Sequence, residues 1–201
     1  MKPIVVVPPS STARAEPFLE AAGWRSAAER SGPDASAARS LAATGRPVLF
    51  VPEKVELRAP LHRILVVHEG TRGDRAGIDA ADEAAVASGA EVIVLHVPSL
   101  APSRTPASLP HRFSDHGTYD WEEWRDEFLR RFCRCSEGVQ VSLLVAAPSV
   151  AGIVEQIRGE HADLLLTSIE IGPERRTRTV VDAVFDGAAP VLMVPAVGHD
   201  R

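Results

Sequence analysis

Cysteine is almost missing from this chain: among 201 residues only Cys133 and Cys135 carry a thiol. Two thiols so close in sequence make a poor structural staple and leave nothing for a disulfide framework. A reducing, cytoplasmic compartment is expected. An excess of positive charge is missing too. The formal net charge is −5 and the pI about 5.8, so neither nucleic acid nor an acidic membrane is an expected partner. No apolar run approaches the roughly 20 residues that a membrane-spanning helix needs. The stretch Ile4–Val7 is closed at once by Pro8-Pro9 and is too short for a signal-peptide core. Aromatic residues are few, at 5%, yet hydrophobic residues reach 45% and charged residues 24%. That balance excludes wholesale disorder and fits one globular domain, or one with an appendage.

What is present is an alternation of strand and helix patterns. Ile4–Val7 reads as a short buried strand, and a helix is expected between about Ala15 and Arg30. Ser36–Ala43 is helical in composition, and Pro47–Pro52 is a strand bracketed by prolines. From Arg63 the rhythm sharpens. Ile64–Val67 and Val92–Val97 read as strands, joined by a helix over Asp74–Ser88 that Gly89 stops. The proline-rich run Pro98–Gly117 is expected to be a long irregular loop and the most mobile internal segment. Residues 118–135 carry Trp121, Trp124, Phe128, Phe132 and Cys135 at helical spacing, with Asp126–Arg130 and Glu127–Arg131 pairs outside. Strands at Val139–Val145, Leu164–Leu166 and Pro190–Val194 follow, with helices after Ser149 and over Thr179–Asp186. The expected fold is α/β: an open five-stranded parallel sheet covered by helices on both faces, with an N-terminal partial α/β unit.

The partial unit looks like a repeat. Residues 36–52 can be laid on residues 179–195 without a gap, and both segments close on Pro-Val-Leu-x-Val-Pro. The expected division is a truncated copy over residues 1–58 and a complete domain over 59–201. The segments Arg63–Thr71, Gly89–Val97, His161–Leu166 and Pro190–Pro195, in this order and spacing, resemble the successive signatures of the universal stress protein family over roughly residues 62–196. The resemblance implies strand order 3-2-1-4-5, cytoplasmic residence and a homodimer through the edge strand, and the near-copy Pro47–Val51 is expected to pair antiparallel with the edge strand Pro190–Val194, within one chain or exchanged between two. In one branch it implies ATP binding.

That branch carries G-x-x-G, nine residues, then G-[ST] after the fourth strand, where backbone amides close around phosphates. Here the first glycine position falls on Ser168, the second on Ile171 or Gly172, and the third on Arg178, while Thr179 keeps the hydroxyl. The acidic residue after the first strand is Glu69, with Thr71 nearby. The resemblance therefore implies a degenerate nucleotide pocket drawn from Glu69, Thr71, Ser168, Gly172, Arg178 and Thr179. Glu170 and Glu174 oppose phosphate there, whereas Arg175, Arg176 and Arg178 favour it. No resident cofactor is expected, and ATP or AMP at most binds weakly.

Other chemistry is sparse. Cys133-x-Cys135 lacks the further ligands that zinc requires, and the helical stripe makes Cys135 the core residue of the two. His111, Asp115 and His116 lie in the proline-rich run without helical spacing. No metal site is expected. His68 beside Glu69 could do acid–base work, and His96 ends the next strand, but no nucleophile motif accompanies them. The expectation is a cytoplasmic stress-response or regulatory protein that binds a partner or small molecule without turning it over. The alternatives are an adenine-nucleotide-binding protein, even a slow ATPase, and an enzyme built on His68 and Glu69.

Overall fold

The structure is a computed structural model of the 201-residue chain. It describes residues 3–8, 11–27, 42, 44–71, 73–97, 121–146, 150–170 and 189–196. Its elements are β1 (Pro3–Val7), α1 (Thr12–Ala21), β2 (Arg25–Ala27), β3 (Val48–Phe50), β4 (Arg63–His68), α2 (Asp74–Ser88), β5 (Glu91–His96), α3 (Trp121–Phe132), β6 (Val141–Val145), α4 (Val150–Gly159), β7 (Leu164–Glu170) and β8 (Val191–Ala196). The expected helices over Ser36–Ala43 (Ala42 apart) and Thr179–Asp186, the cap at Ser149 and the run Pro98–Gly117 lie outside the described residues.

Among the described residues one sheet joins the N-terminal and C-terminal segments of the chain. It has eight strands in the order β2-β1-β3-β8-β7-β4-β5-β6, not five in the order 3-2-1-4-5. The difference arises at one joint. β3 pairs antiparallel with β8, as expected of Pro47–Val51 and Pro190–Val194, and this adds β1 and β2 to the sheet. Among the described residues every other pairing is parallel. Within that order β6-β5-β4-β7-β8 stand as neighbours. β8 therefore lies between β3 and β7, and the edge expected to serve a homodimer is occupied by the chain's own β3.

Near-continuous apolar strands bury both faces of such a sheet. In β4, Ile64 and Val66 point to one core and Leu65 and Val67 to the other. The first core is closed by α1, α2 and α3 through Phe18, Leu19, Ile78, Ala81 and Phe128. The second is closed by α4 through Ile153 and Ile157. Both cores draw on residues from either side of position 58.

Three local expectations need correction. The helix expected to reach Arg30 stops at Ala21, because Gly23 turns the chain at φ 74° into the short strand β2. The helix α3 stops at Phe132, so helical spacing does not extend to the cysteines: Cys133 is buried and Cys135 only half-buried. On the outer side of α3, Glu127 takes both Arg130 and Arg131, while Asp126 pairs with Arg125 instead of Arg130. By contrast, α2 ends at Ser88 with Gly89 in the left-handed region, as the sequence indicates. Among the described residues no helix is long and apolar enough to cross a membrane.

Candidate functional site

In open parallel sheets ligands sit beyond the C-terminal strand ends, where the chain order changes direction. Here that place lies above β4 and β7, which are neighbours although one precedes α2 and the other follows α4. β4 delivers His68 at its last position and β5 delivers His96 opposite it in register. Both imidazoles are buried, at 4% and 8% exposure. Their Nδ1 atoms are 3.1 Å apart, and His96 Nδ1 also lies 3.2 Å from the His68 carbonyl oxygen.

These contacts fix the tautomers. Gly70 N–H donates to His68 Nδ1 at 3.3 Å, so that nitrogen is an acceptor. His96 Nδ1 must then carry the proton that it shares between His68 Nδ1 and His68 O. His68 consequently keeps its own proton on Nε2, which lies 3.7 Å from Asp74 Oδ2. The order is carboxylate, imidazole, imidazole. Burial lowers the pKa of each histidine to about 4, and at neutral pH both rings are uncharged. Phe128 covers the pair, its ring centre 5.0 Å from each imidazole, and Phe132 lies 5.7 Å from His68.

Asp74 is the residue that sequence reasoning missed. It opens α2, where a carboxylate suits the positive end of the helix. Glu69 N–H and Thr71 N–H donate to Asp74 Oδ2 at 3.0 and 2.8 Å, and the Thr71 hydroxyl donates to Oδ1 at 3.0 Å. Burial raises its pKa, with these bonds opposing. The signal lay in the sequence all the same: Thr71-x-x-Asp74 ahead of an apolar-periodic helix is a turn-and-cap pattern.

Of the expected pocket residues, Glu69, Thr71 and Ser168 lie at this one end of the sheet. Gly172, Arg178 and Thr179 lie outside the described residues. Glu69 is half-buried, while the Thr71 hydroxyl is engaged by Asp74. Ser168 is buried and accepts a hydrogen bond from Gly77 N–H of α2 at 3.0 Å. Nor does the chain turn at Ser168. β7 runs on to Glu170, pairing Ser168, Ile169 and Glu170 with Val194, Pro195 and Ala196. Among the described residues no group of three or more His, Cys, Asp or Glu side chains could hold a metal ion. Burial also raises the Cys133 and Cys135 thiols to about 12 and 11, which makes poor nucleophiles of them at neutral pH.

The Gly77–Ser168 contact is tight enough to test. A Cβ on Gly77 would lie 2.8 Å from Ser168 Oγ and 3.7 Å from Val66 Cγ2. Gly77→Ala is expected to cost about 1–3 kcal/mol through this clash, although alanine's helix propensity offsets up to ~1 kcal/mol of it. Urea denaturation of Gly77→Ala, alone and combined with Ser168→Gly, measures the coupling. A Gly77→Ala protein at least as stable as the parent would show that the helix does not press on β7.

No protein-family model matches the chain, and no curated protein matches it by sequence. Solved structures do match it in shape. A universal stress protein from Archaeoglobus fulgidus DSM 4304 superposes with a TM-score of 0.52 at 15% identity, over 78% of this chain and 52% of that one. A Pseudomonas aeruginosa UCBPP-PA14 protein described as of the universal stress type gives 0.51 at 15% identity, over 97% and 63%. A functionally unknown protein from Pseudomonas aeruginosa PAO1 gives 0.50 at 15%, over 96% and 63%. The chain thus spans about half to two thirds of the length of these proteins. The likeness is one of fold: an α/β architecture with a mostly parallel sheet, as in the universal stress proteins.

Proposed function

We propose that the protein is a cytoplasmic regulatory protein of the universal stress type, acting by binding and not by turnover, with its nucleotide pocket reduced to fragments. The observation that carries this reading is the condition of Ser168. At the position where the phosphate-binding branch has its first glycine, this chain has a buried serine whose hydroxyl is engaged by α2 and whose strand continues in the β7·β8 ladder. A backbone committed to a ladder cannot also curl its amides around a phosphate. Thr71, which follows β4, is likewise engaged, by Asp74.

The reading is tested by isothermal titration of the purified protein with ATP and AMP, together with mass spectrometry of small molecules released on gentle denaturation. No binding in the micromolar range and no co-purified adenine nucleotide are expected. Micromolar ATP binding would overturn the proposal and establish the adenine-nucleotide-binding alternative, for which hydrolysis is the next assay.

A further inference from the structure

The His68–His96 pair has one open nitrogen. His68 Nδ1 accepts from Gly70 N–H and from His96 Nδ1–H, and His68 Nε2 carries its proton toward Asp74. His96 Nδ1 carries the proton that it shares with the His68 carbonyl oxygen. His96 Nε2 is left, without a hydrogen-bond partner among the described residues. A first proton taken up by the pair therefore goes there. It breaks none of the existing bonds, but it adds a charge and a donor that no described side chain accepts. An imidazolium this deeply buried needs more water around it than the closed structure admits.

The surroundings decide what gives way. His96 is paired in register with His68 on one side and Val145 on the other, so the sheet beneath it is fixed. α2 is held by Asp74, which takes the Glu69 and Thr71 amides, and by the Gly77–Ser168 bond. α3 is fastened differently. It meets the pair through uncharged rings, Phe128 at 5.0 Å from both imidazoles and the partly exposed Phe132 at 5.7 Å from His68. The ion pairs Arg125–Asp126, Glu127–Arg130 and Glu127–Arg131 are internal to the helix. A firm tie to α2 comes only after the helix has ended. There Ser136 N–H and the Ser136 hydroxyl each donate to the Asp82 carboxylate at 2.7 Å.

Charges around His96 do not rescue a buried imidazolium. Asp74 favours the protonated ring and His68 opposes it, while burial outweighs both. Arg75 on α2 is paired with Asp79, β6 places the uncharged Val145 alongside, and the Cys133 thiol stays protonated. Glu69 follows His68 in the chain and is half-buried.

We propose that α3 is a lid released by a proton: protonation of His96 lifts the helix from the ends of β4 and β5 about a pivot at Cys133–Cys135, while Ser136 stays tied to Asp82 and the rest of the fold stays closed. Lifting admits water to His96 and uncovers the apolar side of α3, formed by Phe128 with the half-buried Trp124 and Leu129. Cys133, buried directly after the helix, is uncovered with it. The lid is independent of whether the crevice takes a nucleotide.

Thiol labelling of the full chain tests this. Cys135→Ser leaves Cys133 as the chain's one thiol, and it is labelled with 4,4′-dithiodipyridine between about pH 7 and about pH 4.5. Reagent is kept low enough that the rate stays proportional to it. Dividing each rate by that of the urea-unfolded protein at the same pH leaves the opening equilibrium. One proton bound by the open state and refused by the closed one makes this ratio rise about tenfold per pH unit on the way down. A flat ratio overturns the proposal. A lid is told apart from global unfolding by a second reporter, Ala15→Cys in a Cys133→Ala/Cys135→Ser background, at a fully buried position on α1. Relative to its unfolded control, Cys133 is expected to label about tenfold faster or more, with a weaker urea dependence. Equal ratios and equal urea dependence mean that the whole molecule opens, and overturn the lid. In His96→Asn the Cys133 ratio is expected to lose most of its pH dependence, and an unchanged slope overturns the role of His96. If that variant does not fold, the slope with His96 in place and the Ala15→Cys comparison still decide.

Discussion

Acidification from about pH 7 to about pH 4.5 is expected to remove on the order of 3–5 kcal/mol of stability through the His68–His96 pair. The sign follows from burial. Each imidazole titrates near 4 in the folded protein, below its ordinary value of 6.5. Between those values the unfolded chain binds protons that the folded chain refuses. Stability is therefore full above the unfolded value and falls as pH drops toward the folded one. Geometry makes the refusal concrete: His68 Nδ1 already accepts from Gly70 N–H and from His96 Nδ1–H, and a proton placed there would face two donors. Asp74 works in the opposite sense, because its raised pKa relieves a burial cost as it protonates. Glu69 adjoins His68 in the chain, and Asp74 and Arg75 both act on Cys133, whose thiol stays protonated throughout this range. Urea unfolding followed by tryptophan fluorescence at several pH values gives the slope. The comparison protein is His96→Asn, whose amide can keep a donor toward His68 while removing one titration; its slope should fall by about one proton. Stability that is flat over this range, or an unchanged slope in the variant, would refute the account.

The histidine pair also shows how far the sequence could be read. Each histidine was visible as the last residue of a strand, yet their contact spans 28 positions and depends on β4 and β5 pairing in register. Residue patterns along one strand say little about register between two. The strands from β4 onward were legible because they are continuous apolar runs with glycine and proline punctuation. β2 was not, since Arg25-Ser26-Ala27 has neither alternation nor apolar content and becomes a strand only because β1 offers it a ladder. Cys133 and Cys135 exchanged roles for a similar reason: spacing predicts a face only as far as the helix runs, and α3 ends before both. At the candidate pocket the departures from the glycine pattern could be read directly, but not what replaced them. That Ser168 answers an amide of α2, and that Asp74 gathers Thr71 and Glu69, are tertiary contacts.

Deleting residues 1–58 is expected to abolish cooperative folding and not merely to bare a sticky edge. From sequence alone, the N-terminal segment covers the strand Pro190–Val194, and its removal should bare that apolar edge and make the truncated protein self-associate or aggregate. The structure asks more of that segment. Phe18, Leu19, Trp24, Ile4 and Leu49 are each at most 2% exposed, in one continuous core with Ile64, Ile78 and Leu192. α1 rests on α2 closely enough that a Cβ on Gly23 would meet Ala87 Cβ at 3.2 Å. Burial of one large apolar side chain is worth about 1.5–3 kcal/mol, and the partner surface it covers loses a comparable amount when it goes. Several such losses together reach the whole stability of an ordinary domain, about 5–15 kcal/mol. The uncovered strand then aggravates the outcome, because β8 is apolar and offers unpaired amides and carbonyls to another chain. The expected result for the 59–201 fragment is a broad, non-cooperative urea transition, with light scattering that grows with concentration. A soluble fragment with a sharp transition and the oligomeric state of the full chain would show that the C-terminal unit closes its own core. In that case β1, α1, β2 and β3 would be a covering that the protein can shed.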